Sequence, residues 1–126
     1  MRKSLAILGL ALAMLLGAAG ARPAQADAEM TWKVRSSYDY KVQIEFYSMD
    51  RKAAWPGNGR AYNLDDSQRH NFTLRCVAGE KICYGAWATG SKTPAWGVGP
   101  NNTLRCNDCC HICGRDNPIK DLVGRR

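Results

Sequence analysis

The chain has 126 residues, which suits a single small domain, and it carries 18 basic against 11 acidic side chains. The basic residues are scattered and form no run interleaved with aromatic residues, so the composition argues against nucleic-acid binding. A net charge of +7 is compatible with loose attraction to an anionic cell surface.

Residues 1–26 have the pattern of a secretory signal peptide. Arg2 and Lys3 precede an apolar stretch over 5–17, and Ala24-Gln25-Ala26 matches the small-x-small motif before a cleavage site, here before Asp27. The apolar stretch has about 13 residues, whereas about 20 are needed to span a bilayer. We therefore predict a secreted or periplasmic protein of bacterial type, with no transmembrane segment after cleavage.

The expected mature chain begins with a disordered leader over 27–30, followed by a β domain over 31–113 and a flexible tail over 114–126. Apolar and polar residues alternate with period two over 31–36 and 42–46, which predicts two half-buried strands paired as a hairpin. Adjacent Asp65 and Asp66 point to opposite faces of an extended chain, so a turn is expected there rather than a pair of acting carboxylates.

Further short strands are predicted downstream, and their ranges are 61–64, 70–76, 82–88, 95–99 and 103–106. Apolar residues nowhere keep the i, i+3, i+4 spacing of an ordinary helix over three turns. The fold class predicted is all-β, a small antiparallel β-sandwich or open barrel of about six to eight short strands, stapled by disulfides.

The first two cysteines flank a predicted hairpin turn. With Gly79 and Glu80 as the central residues of a type II′ turn, Cys76 and Cys83 become directly opposed. Opposed Cα atoms in an antiparallel ladder lie about 4.5 to 5.5 Å apart, which is within reach of a disulfide. We therefore expect a Cys76–Cys83 cross-link, although a one-residue slip in register would remove it.

The last four cysteines form a Cys-x-x-Cys-Cys-x-x-Cys motif, made of Cys106, Cys109, Cys110 and Cys113. Three kinds of chemistry are open to it: two disulfides, a tetrahedral zinc site, or a redox dithiol. Six cysteines in a small exported domain favour three disulfides, with no metal or other cofactor. Zinc is the alternative, although adjacent Cys109 and Cys110 do not easily face one ion.

No catalytic group can be assigned. His111 lies within the cysteine motif and His70 opens a predicted strand, but neither belongs to a Ser-His-Asp grouping or another convergent set. Cysteine–histidine catalysis needs a free thiol, and clustered cysteines in an exported chain favour cross-linking instead. An enzyme is therefore the less favoured class.

Four aromatic residues are the candidates for a ligand-binding face: Trp55, Tyr84, Trp87 and Trp96. Aromatic side chains on glycine-rich loops can stack on sugars or peptides. The competing interpretation is that they fill a core that is short of Leu and Ile. The sequence thus predicts a non-enzymatic binding or envelope-associated module of unknown ligand, with a periplasmic metal-handling protein and a secreted enzyme as alternatives.

Overall fold

The computed structural model describes residues 26–124, so the predicted signal peptide lies outside the described residues except for Ala26. The described part contains nine strands and one 3-10 turn, Pro100–Asn102. The strands are β1 (Asp27–Ser36), β2 (Val42–Ser48), β3 (Ala54–Trp55), β4 (Tyr62–Leu64), β5 (His70–Val77), β6 (Lys81–Ala88), β7 (Ala95–Gly97), β8 (Cys110–Ile112) and β9 (Ile119–Leu122). Within 26–124, no helix has the length and apolar character needed to cross a membrane.

The strands form two sheets. The smaller sheet has the order β5-β1-β9, in which β5 is antiparallel and β9 is parallel to β1. The larger sheet has the order β3-β2-β6-β7, with β4 also paired to β2 and β8 to β6. All pairs in the larger sheet are antiparallel.

One apolar core joins the two sheets. Alternate residues of β1 and β2 point inward, because successive side chains of a strand face opposite sides. The fully buried contributions of these two strands are Met30, Trp32, Val34, Val42, Ile44 and Phe46. Burying each such side chain stabilises the fold by about 1.5 to 3 kcal/mol. The prediction of an all-β sandwich-like domain is confirmed, and the described strands do not close into a barrel.

The predicted pairing of strands is wrong. Strands β1 and β2 were expected to form a hairpin, but β1 pairs with β5 and β9, while β2 belongs to the other sheet. Strands β5 and β6 are likewise in different sheets, so the turn between them changes sheet and does not close a hairpin. Alternation tells which face of a strand is apolar, and it carries no information on the partner strand.

The boundaries of the β domain also differ from the prediction. Residues 27–30, expected to be a disordered leader, form the first part of β1 opposite β5, and Met30 is fully buried. The expected flexible tail contains β9, whose Leu122 is buried and accepts a backbone hydrogen bond from Ser37 at 2.9 Å. The backbone groups of this segment are hydrogen-bonded through its pairing with β1. The segment has few apolar residues, so its sequence pattern did not predict a strand.

The short strands were the least predictable. Residues 103–106, expected to be a strand, have no strand structure, and β8 lies four residues further on at Cys110–Ile112. Instead, residues 98–109 cross the outer face of the larger sheet. Val98 and Cys109 pack there against Tyr47 and Cys83 as a second small apolar cluster. This crossing segment brings the last cysteines next to β6.

Candidate functional site

All six cysteines are cross-linked, and the pairs are Cys76–Cys113, Cys83–Cys110 and Cys106–Cys109. The predicted Cys76–Cys83 disulfide is therefore wrong. Because β5 and β6 separate into different sheets after Val77, the two cysteines are not opposed in one ladder. Cys83 faces Cys110 across the β6–β8 pair instead.

The cross-link between Cys76 and Cys113 closes the turn where the chain changes sheet. The Gly79 N–H donates to the Cys113 carbonyl at 3.0 Å, and the Cys113 N–H donates to the Glu80 carbonyl at 2.9 Å. Cys76 and Cys113 are both buried in the main core. Backbone hydrogen bonds and a disulfide thus fix the end of β8 against the β5–β6 turn.

The four cysteines of the alternative zinc site are not arranged around one point, although Cys109 Sγ lies 3.8 Å from Cys110 Sγ. Cys110 and Cys113 are bonded to sulfurs of the other cysteine group, and Cys106 is bonded to Cys109. Among residues 26–124, no cluster of three or more His, Cys, Asp or Glu side chains has the geometry to hold a metal ion. Thiolates are the sulfur ligands that zinc requires, and cross-linked cysteines do not supply them.

The two histidines have separate surroundings. His70 Nε2 lies 2.6 Å from Asp66 Oδ1, and that hydrogen bond, with a second from the Gln68 N–H, holds the pKa of Asp66 below its ordinary value. Asp66 also closes the turn predicted at this position, because its side chain accepts the Gln68 N–H. No nucleophile accompanies His70 in these contacts.

His111 packs its ring edge-on against the buried Trp32 ring, with 5.3 Å between centroids. Burial is the main cause that lowers the pKa of His111 below its ordinary value, and the positive charge of Lys120 lowers it further. Asp116 lies 3.8 Å from His111 Nδ1 and acts in the opposite direction. The His111 ring therefore serves as packing against Trp32.

The four predicted aromatic residues do not form one surface. Trp96 is paired with Ala86 and so points to the core side of the larger sheet, whereas Trp87 points to the outer face. Trp87 donates its indole N–H to Gln43 at 3.2 Å. Tyr84 packs against Trp32 in the core, with 5.9 Å between ring centroids. Burial raises the pKa of Tyr84.

Trp55 lies at the far end of the larger sheet, in β3. Its indole N–H donates to the Arg75 carbonyl at 3.0 Å and its ring packs against the main core. The Arg51 guanidinium lies over the ring, 5.7 Å from the centroid. Trp55 thus bridges β3 to β5 across the sandwich, and β2 separates it from β6, which carries Tyr84 and Trp87.

Trp96 is the candidate that joins a larger aromatic surface. Tyr38 stands edge-on to Trp96 with 5.5 Å between ring centroids, and Tyr40 stands edge-on to Tyr38 at 5.6 Å. Tyr40 is 73% exposed, the highest value among the large apolar side chains described. We call Tyr38, Tyr40 and Trp96 the aromatic patch.

Three elements position the aromatic patch. The β1–β2 connection carries Tyr38 and Tyr40, and β7 carries Trp96. The Trp96 indole N–H donates to the Val123 carbonyl at 3.0 Å, which attaches the segment after β9. Val123 itself is 66% exposed and extends the apolar surface.

Sequence reasoning missed Tyr38 and Tyr40 because they fall between the strands predicted over 31–36 and 42–46. The signal was available in Tyr38-Asp39-Tyr40, since two tyrosines in a short connection between strands have few inward positions to fill. The opposite charges of Asp39 and Lys41 flank the exposed ring, and both side chains are exposed.

Comparisons of the chain with protein-family models, with curated proteins and with solved structures give no match. The protein is a small, disulfide-rich, all-β domain whose cross-links fit an oxidising environment.

Proposed function

We propose that the protein is an exported, non-enzymatic binding module that holds carbohydrate on the aromatic patch. The observation that carries the proposal is Tyr40, a large aromatic ring that is 73% exposed and supported edge-on by Tyr38 and then by Trp96. An aromatic face presents an apolar plane, and the phenol hydroxyl adds a hydrogen-bonding group at its edge. Those two features match a sugar ring, which has apolar faces and a rim of hydroxyls.

The charges around the aromatic patch favour a neutral ligand. Asp39 and Lys41 flank Tyr40 with one negative and one positive charge, so the patch has little net charge of its own. A strongly anionic or cationic polymer would gain no consistent electrostatic attraction there. This balance supports a neutral sugar chain over a charged peptide.

Export is supported by the position of the predicted cleavage site. Cleavage before Asp27 leaves every residue of β1 in the mature chain, because β1 begins at Asp27. Among the described residues, cleavage there would remove the hydrogen bond from the Ala78 N–H to the Ala26 carbonyl. Disulfides that span the domain also persist in oxidising compartments and not in a reducing cytosol.

Co-sedimentation with insoluble polysaccharides tests the binding proposal. The probes are chitin, cellulose and purified peptidoglycan, and the variants are Tyr40→Ala and, as a matched control, Ile119→Ala. Ile119 is 60% exposed on β9, outside the aromatic patch. We expect the parent and Ile119→Ala to bind at least one polysaccharide, and Tyr40→Ala to bind it at least tenfold more weakly.

Equal binding by Tyr40→Ala, or no binding of the parent to any of the three polysaccharides, would overturn the carbohydrate proposal. Export is tested separately by expressing the full chain in a bacterial host and sequencing the N-terminus of the protein recovered outside the cytoplasm. The expected first residue is Asp27, and a chain retained in the cytoplasm with Met1 would contradict export.

A further inference from the structure

His111 points from β8 into the space between the two sheets. It lies opposite Ile82 in the β6–β8 pair, and Ile82 is fully buried in the main core. The His111 ring stands edge-on to Trp32, and His111 Nε2 is buried there with no hydrogen-bond partner among the described residues. A proton added to the neutral ring makes both ring nitrogens donors. Protonated His111 would therefore be a partly buried cation whose Nε2 has no oxygen or nitrogen acceptor.

A positive charge lies near His111 on β9. Lys120 Nζ is fixed by a hydrogen bond of 2.7 Å to the Asp108 carbonyl and lies 6.0 Å from the centroid of the Tyr84 ring. Burial lowers the pKa of His111 and the charge of Lys120 lowers it further, against the opposing effect of the Asp116 and Asp108 carboxylates. The raised pKa of Tyr84 keeps its hydroxyl uncharged in neutral and acidic solution. Lys120 is thus the group that repels a proton on His111.

Strands β8 and β9 differ in how firmly they are held. Disulfides from Cys110 and Cys113 tie β8 and the residue after it to β6 and β5. Strand β9 has no cysteine, is four residues long and lies at the edge of the smaller sheet, where Leu122 is its one buried side chain. Repulsion between protonated His111 and Lys120 should therefore displace β9 and leave β8 in place.

We propose that His111 is a pH-sensitive switch, whose protonation in mildly acidic solution loosens β9 from β1 and releases an anchor of the aromatic patch. The anchor is the Val123 carbonyl, directly after β9, which accepts the Trp96 indole N–H at 3.0 Å. Its loss frees the Trp96 ring, against which Tyr38 packs. The inference concerns the geometry of the aromatic patch and not its ligand, so it is independent of carbohydrate binding.

The pH range of the switch follows from the sign of the pKa shift. Because the fold lowers the pKa of His111, the stability contributed by the neutral ring is complete above the ordinary value of 6.5 and is lost as pH falls below it. The loss ends once His111 is protonated in the folded state as well. The pKa of Glu80 lies below 4.5, so a comparison of about pH 7.5 with about pH 5.5 leaves Glu80 ionised.

Native-state hydrogen exchange followed by NMR at these two pH values tests the switch. The reporters are the amides of Lys33 and Ser37, which donate to carbonyls just before β9 and at its last residue, each at 2.9 Å. After correction for the intrinsic pH dependence of exchange, we expect their protection to fall about fivefold or more at the lower pH. The Ser48 amide, which donates to Ala53 in the larger sheet, should keep its protection. An equal loss at Ser48 would indicate global unfolding and refute the switch.

His111→Gln separates the switch from other effects of acid. Glutamine stays neutral at both pH values, so the Lys33 and Ser37 amides should show the same protection at each. His70→Gln is the matched control, because His70 is the other histidine of the chain and hydrogen-bonds Asp66 instead. Acid-induced loss of protection that persists in His111→Gln, or that disappears in His70→Gln, would overturn the assignment to His111.

Lys120→Met tests the repulsion itself and does not depend on His111→Gln folding. Methionine removes the positive charge and keeps an unbranched side chain at this position of β9. The loss of protection between the two pH values should shrink to about twofold or less, since only the burial of His111 then opposes its protonation. A loss as large as in the parent protein would show that Lys120 does not couple His111 to β9 and would refute the proposal.

Discussion

Arg51 binds the buried carboxylate of Glu80 with two nitrogens, Nε to Oε2 and Nη2 to Oε1. The same carboxylate accepts the Ser48 hydroxyl and the Val77 N–H, so every oxygen of a side chain that is only 3% exposed has partners. Glu80 lies in the turn where the chain passes from the smaller to the larger sheet, and its partners come from both sides of that turn. This carboxylate joins the two sheets at one end of the sandwich.

Glu80 should make the free energy of unfolding depend on pH in the acidic range. Burial alone would raise the pKa of Glu80, but the hydrogen bonds from Arg51, Ser48 and the Val77 N–H outweigh it and place the pKa below its ordinary value of 4.5. A lowered folded-state pKa stabilises the fold above the unfolded pKa, and that contribution is lost as pH falls through the folded value. Urea unfolding from about pH 6 to about pH 3 should therefore show a falling free energy of unfolding.

Glu80→Gln isolates this contribution from other carboxylates that titrate in the same range. We expect the variant to lose about 2 kcal/mol at neutral pH, since Arg51 is partly solvated, and to show a flatter acid profile. Glu29→Gln, at an exposed position of β1, is the control and should match the parent at every pH. Parallel profiles of Glu80→Gln and the parent would show that Glu80 is not the group responsible.

The cross-link pattern can be read directly from peptides. Trypsin cleaves after Arg75, Lys81, Lys92, Arg105 and Arg115, which gives peptides 76–81, 82–92 and 106–115. Because Cys113 holds Cys76 and Cys110 holds Cys83, all three peptides should migrate as one species until reduced. Peptides 76–81 and 82–92 joined without 106–115 would instead indicate a Cys76–Cys83 disulfide and contradict the structure.

Removal of individual disulfides should have unequal effects on stability. Cys76→Ala/Cys113→Ala opens a loop of 37 positions and should lower the free energy of unfolding by about 4 kcal/mol in the chain-entropy model. Cys106→Ser/Cys109→Ser removes a cross-link between residues three positions apart and should lower the free energy of unfolding by about 2 kcal/mol or less. Urea unfolding of the two variants under oxidising conditions compares them, and equal losses would refute this ordering.

Gly85 should not tolerate a side chain. A Cβ there would overlap the Gly99 carbonyl oxygen where the crossing segment covers the larger sheet, and it would also approach the Tyr47 ring at 3.0 Å. Gly85→Ala should cost about 3 kcal/mol, because the obstructing atom is backbone and cannot move alone. Gly59→Ala is the comparison, since only its positive φ of 69° opposes the change, and it should cost about 1 kcal/mol. If thermal or urea unfolding gave the same loss of stability for Gly85→Ala and Gly59→Ala, the close contact between the crossing segment and Gly85 would be contradicted.

The alternation of apolar residues predicted most of the strands and their inward faces. Trp32, Val34, Ile44 and Phe46 are buried as expected, because period two depends only on local geometry. The partners of those strands could not be read from the same pattern, since β1 presents the same alternation whether it pairs with β2 or with β5. The Cys76–Cys83 prediction failed for that reason.

The aromatic patch shows a different limit. Trp96 was a candidate, but nothing in its neighbourhood along the chain indicates contact with Tyr38, which lies 58 positions earlier. Their approach depends on the loop between β1 and β2 crossing to the same end of the sandwich as β7. Long-range placement of this kind follows from sheet topology, and sheet topology was the part of the fold that local patterns left open.

The disulfides are nested along the chain: Cys76–Cys113 encloses Cys83–Cys110, which encloses Cys106 and Cys109. An oxidant that joins cysteines in their order along the chain would first link Cys76 to Cys83, a non-native pair. Both native partners of these cysteines arrive only with β8 and the residue after it. Maturation should therefore benefit from a disulfide isomerase, and recombinant yield of correctly bridged protein should rise when one is supplied in the oxidising compartment.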